Sequence, residues 1–427
     1  MKRQSTSANA SRIAAPLAEI LVGVAPVSIE FWDGSSWGPE NPIATIRLRS
    51  KDALKRILWA PGELGVARAF VAGEIDIDGN LIETLRALRS GGQNLRRGWR
   101  MLPRIVASAS RLGIVGRPLS PPPEEIRPRG MRHSLARDAK AVGHHYDVGN
   151  DFYRLVLGPS MTYSCAHFSE PTLSLTEAQV SKYDLVCRKL GLHERTEMRL
   201  LDVGCGWGSM ALHAASRYKA RVVGVTISGE QFTAATARVG QAGLADRIEI
   251  RLEDYRQLAG ERFDAISSIG MSEHVGKACI GEYFSTLASL LSPRGRLLNH
   301  AISSVGGSKL GPRSFMNRYV FPDGELLDVG DTVLAMEKSG LEVRDIESLR
   351  EHYALTLRQW VANIEEHWDA AVRIVGVGRA RVWHLYMAGS AVGFGDNGIS
   401  IHQVLGVRPM DDGTSGMPLT RRELVKN

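Results

Sequence analysis

The sequence predicts an α/β chain, in which a doubly wound sheet is preceded by a smaller α+β domain. Three observations carry this. A proline-rich stretch, RPLSPPPEEIRPRG over Arg117–Gly130, interrupts any regular pairing and marks a boundary. Beyond it strand-like and helix-like runs alternate. The run Met198–Gly204 leads through Gly204, Gly206 and Gly208 into a helical run, Ser209–Tyr218, which is how the first βα unit of such a sheet begins.

The elements follow in order. The first 12 residues are polar and read as disordered, without the apolar stretch of a signal peptide. Val27–Trp32 and Ile43–Leu48 partly alternate apolar and polar residues around the turn-rich Asp33–Ser36, which suggests a hairpin. Lys51–Trp59, Leu64–Val71 and Leu81–Leu88 have helical spacing, the last two separated by Gly73–Gly79. Arg96–Leu112 reads as a basic amphipathic helix, with Trp99, Met101, Leu102, Ile105 and Val106 beside Arg96, Arg97, Arg100 and Arg104. The expected organisation is an N-terminal domain over 1–116, a linker over 117–131, a catalytic domain over 132–408 and a flexible tail over 409–427.

Composition narrows the function classes. With 44% hydrophobic and 23% charged residues among 427, the chain is neither disordered nor a coiled coil. Its four cysteines, Cys165, Cys187, Cys205 and Cys279, have no CxxC spacing, so neither a disulfide scaffold nor a zinc site is expected, nor any other metal. No run of about 18 apolar residues is present, so a cytoplasmic chain with peripheral membrane contact is expected. The formal charge of +7 is unevenly placed: 13 basic residues face three acidic ones between Arg86 and Lys140. Such a segment suits nucleic acid or an anionic membrane surface, or is simply a solvated linker.

The glycine loop is more specific than its glycines. Glycine lets a ligand approach the backbone, and the following helix start offers free N–H groups. Asp202 precedes the loop in D-V-G-C-G-W-G, a form that resembles motif I of class I S-adenosylmethionine (SAM)-dependent methyltransferases. Further strands are expected at Arg221–Ile227, Ile248–Leu252, Phe263–Ile269 and Gly295–His300. The second ends without the acid that usually binds the ribose, so either Thr226 and Gln231 replace that carboxylate with neutral hydrogen bonds or another residue does that work. Glu253, Asp254 and Tyr255 follow the third, where adenine contacts often lie.

Further motifs resemble the cyclopropane-fatty-acyl-phospholipid synthase family, which includes the mycolic acid cyclopropane synthases. They are HHYDVGNDFYRLVLGPSMTYSCAHF (His144–Phe168), LLDVGCGWGSMALHAA (Leu200–Ala215), TISGEQ (Thr226–Gln231), IGMSEHVG (Ile269–Gly276), NHAI (Asn299–Ile302), RYVFPDGEL (Arg318–Leu326), HYALTLRQW (His352–Trp360) and GFGDNGISIHQ (Gly393–Gln403). They run in family order from about residue 133 to 408, and the N-terminal part resembles the extra domain of the phospholipid-acting members. The resemblance implies methyl transfer from SAM to a cis double bond of a phospholipid acyl chain. A carbocation forms and loses a proton to bound bicarbonate, giving a cyclopropane, or a 10-methylene chain if a hydride shifts first.

Residue by residue, the resemblance implies an anion pocket made by the backbone of Cys165, by Glu273, by His300, by the backbone of Ile302 and by Tyr353. It places Tyr163 and Ser164 beside the methionine half of SAM, and Asp202, Gly204 and Gly206 at the glycine loop that binds it. Thr226 and Gln231 fall at the ribose, and Asp254 and Tyr255 near the adenine. Taken alone, Cys165 and His300 would read as core residues, and His144 and His145 as structural. Gly229 and Asp323 depart from the family pattern, where lysine and glycine are common. The resemblance also implies a homodimer and, with the basic segment, docking on the inner face of the plasma membrane. A nucleic-acid methyltransferase lacks support, because no N-P-P-Y-like loop and no interleaved stacking aromatics are present. A carrier without activity would not need the full set of Cys165, Glu273, His300 and Tyr353.

Overall fold

The computed structural model describes residues 10–23, 25–91, 107–126, 148–308, 310–322 and 324–425. The arginines at 96, 97, 100 and 104, the histidines at 144 and 145 and Asp323 lie outside the described residues. The chain forms two compact units. One comprises residues 1–128, 311–322 and 368–392, and the other residues 129–310, 323–367 and 393–427. Two stretches that the sequence pattern assigned to the 132–408 span therefore pack with the N-terminal unit.

That unit is built on a four-stranded sheet of order β2-β1-β3-β4, from β1 (Val27–Glu30), β2 (Ser36–Trp37), β3 (Ala44–Leu48) and β4 (Ile75–Asp78). The expected hairpin is corrected here. The Asp33–Ser36 turn pairs β1 with the short β2, whereas β3 lies parallel to β1, with Ile29 opposite Ile46. The Gly73–Gly79 stretch contains β4, whose Ile-Asp-Ile-Asp alternation pairs it antiparallel with β3. The start of the chain is corrected too. Ala10–Val22 forms helix α1, which buries Ala14 and Ala18.

Helices α2 (Lys51–Trp59), α3 (Glu63–Val71) and α4 (Leu81–Gly91) follow the expected spacing. Ser50 caps α2 by accepting from the Asp52 N–H, a contact worth about 1 kcal/mol. Residues 107–111 are helical, and the described half of the linker is pinned rather than free. Arg68 grips Glu125 with two hydrogen bonds of 2.6 and 2.7 Å, and Ile126 N–H donates to the Arg318 carbonyl at 2.7 Å.

The second unit carries a sheet of order β11-β12-β9-β8-β5-β6-β7. Its strands are β5 (Arg199–Val203), β6 (Arg221–Thr226), β7 (Ile248–Leu252), β8 (Phe263–Ile269), β9 (Leu291–Ser304), β11 (Glu342–Ser348) and β12 (Ile399–Val407), with the short β10 (Leu327–Asp328) beside β9. Strands β5 to β9 are parallel where they pair; β12 inserts antiparallel between β9 and β11. The helices of the second unit are α5 (Asn150–Leu157), α6 (Leu175–Lys189), α7 (Ser209–Tyr218), α8 (Gly229–Gln241), α9 (Ser272–Val275), α10 (Ile280–Leu290), α11 (Val329–Lys338) and α12 (Arg350–Glu366). Next come α13 (Trp368–Val375) and α14 (Val377–Gly395), which belong to the first unit through residue 392.

Two local features position the site. Helix α6 opens with a reciprocal cap: Ser174 Oγ accepts from the Glu177 N–H, and the Glu177 carboxylate accepts from the Ser174 N–H at 2.9 Å. Apolar residues cover both faces of the sheet; Leu201, Val203, Phe263, Ile266 and Leu297 lie in one core, and Val186, Leu200, Ala211 and Leu298 in the other. The stretch after 409, expected to be a flexible tail, is anchored through residue 425. It ends in α15 (Arg421–Leu424), whose Arg421 pairs with Asp345 at 2.8 Å and with Glu347, while Leu424 is buried in the core.

Candidate active site

At the C-terminal ends of β5, β6, β7 and β8, all nine residues expected to bind the cofactor line one cavity of ≈ 340 Å³. This is where open α/β sheets bind ligands. The glycine loop forms its floor. Gly204, with φ +70°, passes so close to Met271 that a Cβ would lie 2.3 Å from its sulfur. Gly206, with φ +55°, has nothing within 4 Å of the position a Cβ would occupy. The loop is stapled by the Gly204 and Cys205 N–H groups, both donating to the Val225 carbonyl at 3.0 Å.

The expected neutral pair at the end of β6 forms. Thr226 Oγ1 donates to Gln231 Oε1 at 2.9 Å and accepts from the Ser228 N–H at 3.2 Å. The threonine hydroxyl is therefore consumed within the protein, and the Gln231 amide N–H₂ is the group left to donate into the cavity. Asp254 is also spent locally. It caps a 3-10 turn and takes two hydrogen bonds from the Arg256 guanidinium, at 2.8 and 2.7 Å, which holds its carboxyl below the usual range. Glu253, on the same wall, has its carboxylate 3.9 Å from Arg251.

Tyr163 sits between Tyr153 and Trp360, with ring centroids 5.6 and 5.4 Å away. The Ser164 carbonyl accepts from Gln179 Nε2 at 2.9 Å, and its hydroxyl accepts from Lys182 Nζ at 3.2 Å. Asp202 is buried; Ser267 Oγ donates to its Oδ1 at 2.7 Å, and Oδ2 has no partner. Burial pushes the Asp202 carboxyl up to about 6. Lys182 and His274 line the cavity as well, and sequence reasoning had not singled out Lys182. Its signal was available: it falls on the face of α6 that also carries Ala178, Tyr183 and Val186, where a charged residue is unusual.

The five residues expected to make the anion pocket fall outside that cavity's lining. They adjoin it in the chain, Cys165 following Tyr163–Ser164 and Glu273 preceding His274. Two groupings emerge among them. Glu273, on α9, places Oε1 2.8 Å from the Ile302 N–H, beyond the end of β8, so that N–H is already engaged. Cys165 Sγ lies 3.6 Å from the Leu349 carbonyl, which also accepts from the Tyr353 N–H at 3.1 Å. Burial pushes the Cys165 thiol well up, so it stays protonated and is no nucleophile. The Tyr353 ring packs 4.6 Å from Phe394 and 6.0 Å from Trp360.

His300, fully buried on β9, faces Gln403 on β12, with Gln403 Nε2 3.3 Å from its Nδ1. With the Gln403 amide in this orientation its nitrogen donates to Nδ1, which assigns the ring proton to Nε2. Burial, aided by the Lys182 and Lys189 charges, lowers the His300 pKa well below its ordinary value and keeps the ring neutral. Both His300 Nε2 and Glu273 Oε2 are buried without a partner. Burial also pushes the Glu273 carboxyl up to about 7.

A glycine loop at the head of a doubly wound sheet, with these walls, defines a SAM-dependent methyltransferase. Residues 133–404 match the family described as mycolic acid cyclopropane synthetase, and the chain belongs to that family. It is 42% identical to a probable fatty acid methyltransferase of Mycobacterium tuberculosis, over 94% of this chain and 97% of that one. It is 31% identical to a tuberculostearic acid methyltransferase of the same organism, over 88% and 87% of the two chains. It is 33% identical to the cyclopropane-fatty-acyl-phospholipid synthase of Escherichia coli K12, over 87% and 89%. A solved mycolic acid cyclopropane synthase complexed with SAH and CTAB superposes with a TM-score of 0.59 and 32% identity, over 63% of this chain and 98% of that one.

Proposed function

We propose that this enzyme transfers a methyl group from SAM to the cis double bond of an unsaturated acyl chain in a phospholipid and closes a cyclopropane ring. The observation that carries the reading is the pair of buried, unpartnered atoms: a donor at His300 Nε2 and a carboxylate oxygen at Glu273 Oε2. A buried polar atom without a partner costs about 1–3 kcal/mol, so each calls for a guest group, an acceptor at His300 Nε2 and a donor at Glu273 Oε2, which one small molecule would supply if it reached both. Bicarbonate fits, because it carries anionic oxygens and one hydroxyl. Glu273 and His300 would hold it, with Tyr353 and the Cys165 backbone as further contacts.

The Ile302 N–H serves differently from the expectation. Its bond to Oε1 fixes the Glu273 carboxyl, so its role in this reading is positioning. SAM, when bound, supplies an electrophilic methyl group on a sulfonium. The alkene would be the nucleophile towards that methyl group, and the sulfur would keep the electron pair of the methyl–sulfur bond. Bicarbonate, when bound, supplies a base for the proton that leaves the new methyl group, whose C–H electrons close the ring. The chain's own part is to keep water and nucleophiles away from the cation. The Cys165 thiol stays protonated, the His300 Nδ1 lone pair is engaged by Gln403 Nε2, and Tyr353, Phe394 and Trp360 form an aromatic wall.

The relative named for tuberculostearic acid favours a second reading, in which a hydride shifts before the proton leaves and a methylene remains. No helix among the described residues is long and apolar enough to cross a membrane. Peripheral docking of a cytoplasmic homodimer on anionic headgroups, through the basic segment 86–140, completes the proposal.

The test is incubation of the protein with SAM and vesicles of cis-unsaturated phosphatidylglycerol. Cyclopropane protons are expected in the lipid NMR spectrum; olefinic methylene signals would select the second reading, and unchanged lipid would reject both. In the same assay Glu273→Ala should lower turnover at least about tenfold while SAH binding persists. Full activity in that variant would remove the bicarbonate assignment. Protein that sediments with the vesicles equally at low and high salt would remove the electrostatic docking.

A further inference from the structure

Helix α6 carries a buried lysine with no counter-ion. Lys182 is 1% exposed and lines the cofactor cavity. Its Nζ donates to Ser164 Oγ at 3.2 Å and lies 3.9 Å from the centroid of the Tyr183 ring. No carboxylate lies within ion-pair distance of it among the described residues. An ammonium has three donors, and here one neutral hydroxyl and one ring face receive it. Burial pushes its pKa down to about 7. The same cavity wall carries the opposite case, the buried Asp202 with Oδ2 unpartnered. One cavity thus presents a buried cation and a buried anion that attract one another without forming an ion pair, a pattern complementary to a zwitterion.

SAM has a zwitterion at one end, the α-ammonium and α-carboxylate of its methionine half. We propose that Lys182 is a cofactor-binding residue whose ammonium holds the SAM α-carboxylate beside the Ser164 hydroxyl, while Asp202 takes the α-ammonium. The inference rests on the reading of this cavity as the SAM site. It gives Lys182 a task that sequence motifs do not assign to it. It also gives the buried charge a reason: its desolvation cost is offset when the carboxylate enters and the pair forms with charge-assisted strength. SAM selection over neutral adenosine thioethers then resides on α6 as well as in the glycine loop.

The test compares two ligands on the full-length protein by calorimetry: SAH, and decarboxylated SAH, which keeps the amine and lacks the carboxylate. The wild type should bind SAH about tenfold to hundredfold more tightly than its decarboxylated form. Lys182→Met should lose that preference, with weaker SAH binding and unchanged or tighter binding of the decarboxylated ligand. A merely structural lysine would weaken both ligands alike, and retention of the preference in Lys182→Met would overturn the proposal. If the variant does not fold, the wild type decides alone, since equal affinity for the two ligands overturns it. Failure of the wild type to bind SAH at all would instead overturn the reading of the cavity.

Discussion

Helix α6 holds two buried lysines, two turns apart, in opposite circumstances. Lys189 is fully buried and closed in by charge: its Nζ is 2.8 Å from Asp345 and 2.7 Å from Glu347, and both acids also meet Arg421. Lys182 is just as buried and has only the Ser164 hydroxyl and a tyrosine face. Burying a charge costs several kcal/mol unless partners compensate it within the fold. Lys189 is compensated by β11 and the C-terminal segment, so its energy belongs to folding. Lys182 has no ion-pair partner among the described residues and only the longer-range pull of Asp202, so much of its cost is left for binding to offset. A buried ion with a complete set of partners is part of the scaffold, and one without a set marks a ligand.

The sharpest way to break this comparison is to remove each lysine. Lys189→Met leaves Asp345 and Glu347 with Arg421 alone, and should cost about 3 kcal/mol or more, read as a lowered urea midpoint. Lys182→Met removes an uncompensated charge and keeps the volume, so its midpoint should stay within about 1 kcal/mol of the wild type or rise. If both variants lose stability equally, the two sites are alike and the distinction fails.

The two lysines also show what the sequence could reveal. Strands β5 to β9 were legible as short apolar runs, the helix Ser209–Tyr218 and the glycine loop by their order, and all nine cofactor residues meet at one cavity, whereas β10, β11 and β12 were not read. Local chemistry decides such elements. Lys182 was legible in principle, because a lysine on an apolar helical face is itself a signal. The Lys189 network was not, because its partners lie 156 and 158 residues along the chain. Pairing direction was equally hidden. Nothing within Val27–Trp32 or Ile43–Leu48 says that β2 will occupy the antiparallel edge and leave β3 parallel to β1. The helix Ala10–Val22 was obscured by Pro16 and by the polar residues before it. The tail carries no motif and so was expected to be flexible, whereas the charges of Asp345 and Glu347 anchor it.

A second, smaller effect sharpens the comparison through pH. An ordinary lysine titrates near 10.5, and Lys182 is lowered to about 7 by burial, against the opposing pull of Cys165, Asp202 and Cys187. Between those values the unfolded chain holds a proton that the folded chain has released. Stability therefore rises with pH from about 7 to about 10.5, by up to about 1.4 kcal/mol per pH unit from this group. The expected result is a steeper rise of the urea midpoint in the wild type than in Lys182→Met. Saturating SAH should flatten the wild-type slope, since a carboxylate beside Nζ restores the charged form. Parallel wild-type and variant profiles would mean that Lys182 is already charged and compensated, as Lys189 is.

The smallest effect separates the lysine from its neighbour. The Ser164 carbonyl is held by Gln179 Nε2 independently of the hydroxyl, so Ser164→Ala should leave the loop in place and remove the single O–H donor that the serine can offer a carboxylate. One hydrogen bond of about 1 kcal/mol corresponds to about a fivefold loss of SAH affinity. Because Lys182 remains, the preference for SAH over its decarboxylated form should survive. Its disappearance in Ser164→Ala would assign the carboxylate to the hydroxyl and leave Lys182 as the group that orients it. The same two ligands thus decide whether the unpartnered charge on α6 touches the cofactor or acts through serine.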